Sequence, residues 1–160
     1  MNLQNVDIRI IAYFYDMEKD KLTYDIIGCA MKVHNAMGPG FQEVIYQRCL
    51  AIELDRAGLP FERELEQTVY YENIEVGTRR ADFVVAGRAV VELKALVNLE
   101  DVHIAQAKNY TVAYGFPLGL LLNFGSQSLQ YKLLFNPKYQ NCQNQNLQNE
   151  KFFNIYSHTL

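Results

Sequence analysis

Apolar residues recur at Leu22, Ile26, Ala30, Val33 and Met37, spacings of four and three that lay one stripe along a helix, and Gly38-Pro39-Gly40 interrupts it. A second periodic stretch, Phe41 to Ala57, aligns Val44, Ile45, Cys49 and Ile52 and stops at Gly58 and Pro60. Two helices therefore meet at a tight elbow, with the Val44/Ile45/Cys49/Ile52 stripe expected on the core. After Pro60 the period changes. Val69-Tyr70-Tyr71, Ala81 to Val85 and Ala89 to Leu93 are short, rich in β-branched or aromatic residues, and separated by Asn73, Gly77 and Gly87. They read as consecutive antiparallel strands. Asn98 is placed to cap a third helix with Glu100 and Asp101 in its first turn, and Gly115 with Pro117 closes it. Leu118 to Phe124 is a nearly unbroken apolar run, as a strand buried on both faces would be. Leu129, Tyr131, Leu133 and Phe135 then alternate with polar Gln130 and Lys132 in an outer strand. The order ααβββαββ predicts an α/β fold, a mixed central β-sheet flanked by α-helices.

Composition narrows the class. The 160 residues, 49% of them hydrophobic, suffice for one core and not for two. We divide them into an N-terminal extension over 1–21, a domain over 22–136 and an Asn/Gln-rich C-terminal tail over 137–160, its bias strongest from Tyr139 to Asn149. A net charge of -3 excludes a generally basic nucleic-acid coat, while leaving room for a local cationic groove or a bound metal. Cys29, Cys49 and Cys142 lie far apart without paired spacing, which suits reduced thiols in the cytoplasm better than disulfides or a zinc site. The run Ile8 to Tyr15 is too short to span a bilayer, and Asp7 and Arg9 spoil it as a signal peptide. Neither membrane anchor nor export signal is expected, and a homo-oligomer stays open.

Chemistry concentrates on the predicted hairpin. Side chains two apart share a strand face, so Glu92 and Lys94 project together. With Ala86-Gly87-Arg88 as a three-residue loop, Val85 pairs with Ala89 and Asp82 falls opposite Glu92. Two carboxylates facing each other among Ala81, Phe83, Val84, Val90, Val91 and Leu93 repel, and a divalent cation would relieve them. Oxygen ligands without histidine or thiolate suit Mg²⁺ or Mn²⁺, ions that share phosphate oxygens with a substrate.

Asp82 followed after nine residues by Glu92-Leu93-Lys94 resembles the core of the PD-(D/E)XK nuclease superfamily. Gly40-Phe41-Gln42-Glu43-Val44-Ile45-Tyr46 matches the motif that names its GxxExxY branch, and Gly38-Pro39-Gly40, Arg80-Ala81-Asp82, Gln106-xxx-Tyr110 and Asn123-Phe124-Gly125 match further. The resemblance spans roughly Leu22 to Asn136. It implies a restriction-endonuclease-like core in which Asp82 and Glu92 are metal ligands, Lys94 stands near the attacking water and Glu43 completes the pocket. Gln106 and Tyr110, four apart on one helix face, would reach the metal-bound water or the nucleic-acid backbone. The activity implied is a metal-dependent nuclease on DNA or RNA.

Plainer readings stand beside these. Asp82, Glu92 and Lys94 could form a salt-bridge ladder on an exposed sheet, and Glu43 a solvated first-turn residue. Gln106 and Tyr110 could make an interhelical polar contact. Lys94 could stabilise charge on the phosphate or act on the water. His34 and His103 suit packing or capping, Arg79 and Arg80 solvated positions, and Tyr46 a packed aromatic. Gly38 and Gly40 make a turn before they make a phosphate loop. The rival to a nuclease is a catalytically silent relative that binds nucleic acid or a protein partner.

Overall fold

The computed structural model describes residues 21–139. The N-terminal extension before Lys21 and the tail beyond Tyr139, with Cys142, lie outside them. Helix α1 (Lys21–Met37) buries Leu22, Ile26, Cys29, Ala30 and Val33, the predicted stripe displaced only at its end. Gly38 and Gly40 then take φ of 67° and 110°, backbone that L side chains rarely adopt, and turn the chain into α2 (Glu43–Arg56). Tyr46 fixes this elbow. Its hydroxyl donates to the Gly38 carbonyl at 2.6 Å and accepts the Phe41 N–H at 3.1 Å, while its ring stacks on Phe124.

The buried stripe of α2 consequently runs through Tyr46, Leu50 and Leu54. The expected stripe through Val44, Ile45, Cys49 and Ile52 lies nearly half a turn away: Val44 is 39% and Ile52 51% exposed. Rotation about the helix axis is set by the Tyr46 anchor in the elbow, and neighbouring apolar residues on so short a helix do not determine it.

Five strands follow in the sheet order β1-β2-β3-β4-β5. They are β1 (Phe61–Tyr71), β2 (Ile74–Val85), β3 (Ala89–Lys94), β4 (Leu118–Asn123) and β5 (Gln130–Phe135). All neighbours are antiparallel except β3 and β4, which run parallel and are joined through α3 (Asp101–Ala113). The mixed sheet between helices is the architecture expected. β1 and β2 are longer than their apolar segments, because the turn at Glu72 and Asn73, both at positive φ, zips polar residues such as Gln67 and Arg79 into one ladder.

One sheet face packs on α1 and α2 through Phe83, Val85, Val91, Leu93, Leu120 and Leu122. The other carries α3, with Ala107 against Leu121 and Tyr114 against Val84 and Val90. All six residues of β4 are buried, as their apolar run predicts. Asn98 does not cap α3. Glu100 does, its N–H bonded to His103 Nδ1 at 3.1 Å, so the helix starts one residue after the acidic pair begins. Among the described residues no helix is long and apolar enough to cross a membrane.

Two glycines mark where backbones meet closely. A Cβ on Gly119 would lie 2.0 Å from Thr111 Oγ1 of α3, and one on Gly125 would lie 2.4 Å from the Leu96 nitrogen. Gly119→Ala is therefore expected to lower unfolding free energy by about 1–3 kcal/mol, and adding Thr111→Ala to recover part of that loss. Gly125→Ala meets backbone that cannot rotate aside, and should destabilise more. Urea midpoints measure all three; a Gly119→Ala chain as stable as the parent would contradict this packing.

Candidate active site

Asp82 sits where two ladders break. The β1–β2 register runs from Phe61↔Val85 to Arg63↔Phe83 and resumes at Leu65↔Ala81, while Glu64 between them takes φ of 52°. On the other side β2–β3 pairing holds Val85↔Ala89, Val84↔Val90 and Phe83↔Val91, and stops there. The hairpin register is the one expected, but Asp82 and Glu92 are not a cross-strand pair. Instead the Asp82 carboxylate replaces the ladder: Oδ2 accepts the Leu93 N–H at 2.7 Å, and Oδ1 accepts from Gln47 Nε2 of α2 at 2.7 Å. Side-chain alternation fails at the same point, with Phe83 on the α1/α2 face and Ala81 in the cluster under α3.

Glu92 is 5% exposed on β3, and its neighbour two residues on, Lys94, is half-buried. The chain leaving Lys94 is held by Asn123, which is fully buried. Its Oδ1 accepts the Leu96 N–H at 2.8 Å and its Nδ2 donates to the Leu96 carbonyl at 2.9 Å and to Gln130 Oε1 at 3.0 Å. The Asn123-Phe124-Gly125 segment thus locks the end of β3 onto β4, with the Phe124 N–H donating to the Lys94 carbonyl at 2.8 Å.

The electrostatics show which groups gather. Burial pushes Glu92 up to about 8, the charge of Asp82 adds to the rise, and Arg79 and Lys94 oppose it. Burial also raises Asp82, against the Leu93 N–H and the charges of Lys94 and Arg79. Glu43 is raised by burial and by Asp82, with Lys94 pulling the other way. Glu43, Asp82, Glu92 and Lys94, taken from α2, β2 and β3, therefore lie within reach of one another's charge. Glu43 arrives there although the buried stripe of α2 differs from the expected one, because it lies three residues before the buried Tyr46.

Gln106 and Tyr110 bond each other, Nε2 donating to the hydroxyl at 2.8 Å. They adjoin the carboxylates through Arg79, whose guanidinium lies 3.3 Å from the Tyr110 ring centroid and 3.9 Å from Glu92 Oε2. Arg79 is not the solvated residue expected; Arg80 is, pairing with Glu66 at 3.2 Å on the surface. Sequence reasoning missed Gln47 and Tyr114 as well. Each stands four residues after a predicted site residue on the same helix turn, Gln47 after Glu43 and Tyr114 after Tyr110, and that spacing was the available signal. Tyr114 is pushed up to about 12 by burial, with the charge of Glu92 adding. His34 packs on Phe124 and bonds the Ser126 carbonyl, away from this cluster.

Among the described residues no three His, Cys, Asp or Glu side chains close on a common point. What exists is a two-carboxylate set in which Glu92 Oε1 is buried and bonded to nothing. Such an acceptor calls for a proton or a cation. Hard oxygen donors in that number fit a small divalent ion that keeps water or substrate oxygens in its other positions.

The sequence profile described as the PD-(D/E)XK nuclease superfamily matches residues 20–134. No curated protein matches the chain. Among solved structures, the crystal structure of SSO0001 is similar at 17% identity and a TM-score of 0.45, over 59% of this chain and 50% of that one.

A pH prediction comes directly from Glu92. In the fold it keeps its proton to about pH 8, against an ordinary value of 4.5, so stability is full below the lower value and is lost as pH rises through the higher. In EDTA the melting temperature should fall between pH 5 and 9. Glu92→Gln should flatten that fall and melt roughly 5 °C or more above the parent at pH 9. Parallel melting curves for the two proteins would count against a buried, strained Glu92.

Proposed function

Because the chain belongs to the PD-(D/E)XK nuclease superfamily, we propose that it hydrolyses phosphodiester bonds of DNA or RNA at a Mg²⁺ or Mn²⁺ site held by Asp82 and Glu92. The observation that carries this reading is the buried, unpartnered Oε1 of Glu92 beside the Asp82 carboxylate. Asp82 remains able to ligate while bonded to Leu93 and Gln47, since each carboxylate oxygen has a second lone pair. When bound, the ion would supply a polarised phosphoryl oxygen and a more acidic attacking water.

The chain's own residues have separable roles. Gln47 and the Leu93 N–H hold Asp82 in one orientation. Lys94 puts positive charge beside the carboxylates, where it offsets the charge that builds on the phosphate as water adds. Glu43 borders the same pocket, and its elevated proton affinity suits it to take or relay a proton there. The Gln106–Tyr110 pair presents hydrogen-bonding groups to the water or to the nucleic-acid backbone. Tyr46, the last letter of the Gly-x-x-Glu-x-x-Tyr pattern, pins the elbow from which Glu43 projects, which supports the GxxExxY branch. We take residues 22–136 as the catalytic unit.

One observation favours the second reading, a silent binder of nucleic acid or protein: no third ligating side chain joins Asp82 and Glu92 among the described residues. Mutants separate the two. Millimolar Mn²⁺ should raise the melting temperature of the parent, and Asp82→Asn, which keeps an acceptor for Leu93, should lose both that shift and cleavage. Lys94→Ala should keep the shift and cleave about a hundredfold or more slowly across single- and double-stranded DNA and RNA. Clean parent protein that binds these substrates and cuts none would favour the silent binder; Lys94→Ala at parental speed would reject the mechanism.

A further inference from the structure

Among the described residues three buried side-chain polar atoms lack a hydrogen-bond partner: Arg79 Nε, Glu92 Oε1 and Tyr114 Oη. They are not scattered. Arg79 stands 3.9 Å from Glu92, and the charges of Glu92 and Arg79 are both felt at Tyr114. Unsatisfied polar groups in a native fold call for a physical cause, and three in one neighbourhood call for a common one.

Arg79 supplies it. Its guanidinium carbon lies over the Tyr110 ring, 3.3 Å from the centroid, and its side chain is only 33% exposed. Stacking thus holds the cation in place while leaving donors uncommitted. The distance from Nη2 to Glu92 Oε2 is too long for a hydrogen bond, so Arg79 is a neighbouring charge to Glu92 without being its bonded partner. Adjacent Arg80 behaves differently, bonding Glu66 through Nε at 3.2 Å in solvent. Tyr110 in turn is held by Gln106, so α3 presents Arg79 to the site.

We propose that Arg79 is the resident counter-cation of the carboxylate site: it is the fixed positive charge beside Glu92 while no divalent ion is bound, and serves a backbone phosphate of the nucleic acid once an ion takes over Glu92. This rests on the metal-dependent reading above. A divalent ion entering the site raises its charge by two, or by one if Glu92 gives up a proton. In both cases the fixed positive charge of Arg79 opposes it. An arriving phosphate reverses the balance, since it is attracted by the ion and by the guanidinium together. Arg79 therefore weakens metal binding to the free protein and makes metal and substrate favour each other.

Calorimetric titration of Mn²⁺ into the metal-free full chain at pH 8 tests the first half. R79M should bind Mn²⁺ about fivefold or more tightly than the parent, and R79K within about twofold of it. R79Q serves as a second neutral variant should R79M fail to fold. Neutral variants that bind Mn²⁺ equally or more weakly overturn the counter-cation role. A parent that binds no Mn²⁺ overturns the metal-dependent reading itself, and this proposal with it. The second half is read from labelled single-stranded DNA and RNA bound in Ca²⁺ over a salt series. Losing one phosphate contact should make the slope of log affinity against log salt shallower by about 0.7 in R79M. An unchanged slope removes Arg79 from the phosphate.

Discussion

The hydrogen bond from the Leu93 N–H to Asp82 Oδ2, at 2.7 Å, is the contact on which the site's geometry turns. A regular β2–β3 ladder would satisfy that amide with a backbone carbonyl and leave Asp82 free to point along the pleat. The ladder ends at Phe83↔Val91, and the side chain does the backbone's work. Asp82 is thereby tied to β3 between Glu92 and Lys94, while Gln47 ties it to α2. One carboxylate joins the strand that carries the other two charges to the helix that carries Glu43.

Burial follows from this arrangement and creates its tension. Glu92 is enclosed because α3 covers its side of the sheet, and a carboxylate there is driven toward its protonated form. A fold selected for stability alone would replace it with an apolar residue. The groups that oppose its protonation, Arg79 and Lys94, are themselves held by other contacts: Arg79 by the Tyr110 ring, Lys94 by a strand end that Asn123 and Phe124 lock to β4. The surrounding structure maintains charge where it is unfavourable, as functional sites do.

Besides supplying Gln47 and Glu43, the helical layer on the opposite face supports the cluster from behind. Tyr46 ties the Gly38 elbow and stacks on Phe124, the residue whose N–H bonds the Lys94 carbonyl. The Gly40 to Tyr46 motif and the Asn123 to Gly125 motif, which are unrelated as strings, are thus two sides of one packed joint behind the charged cluster.

Periodicity and spacing were enough for the element order, for a β4 buried on both faces and for the Val85↔Ala89 hairpin register, because those depend on which residues are apolar and on what glycine permits locally; that β4 runs parallel to β3 came only from the structure. The candidate grouping of Asp82, Glu92 and Lys94 came from strand alternation and the hairpin register, and Glu43 entered it through the family pattern alone. The rotation of α2 was not legible, since the Tyr46 hydroxyl bond to Gly38 decides it. The cap at Glu100 was not, because His103 answers it across a turn that Asn98 could also have made. Nor were Gln47, Arg79 and Tyr114, whose positions depend on a ladder break and on a helix crossing above the sheet. The sequence by itself determined which charges would share a strand face. Only the tertiary structure decided how deeply they are buried and which cation stands beside them, because desolvation and stacking come from residues far apart in the chain.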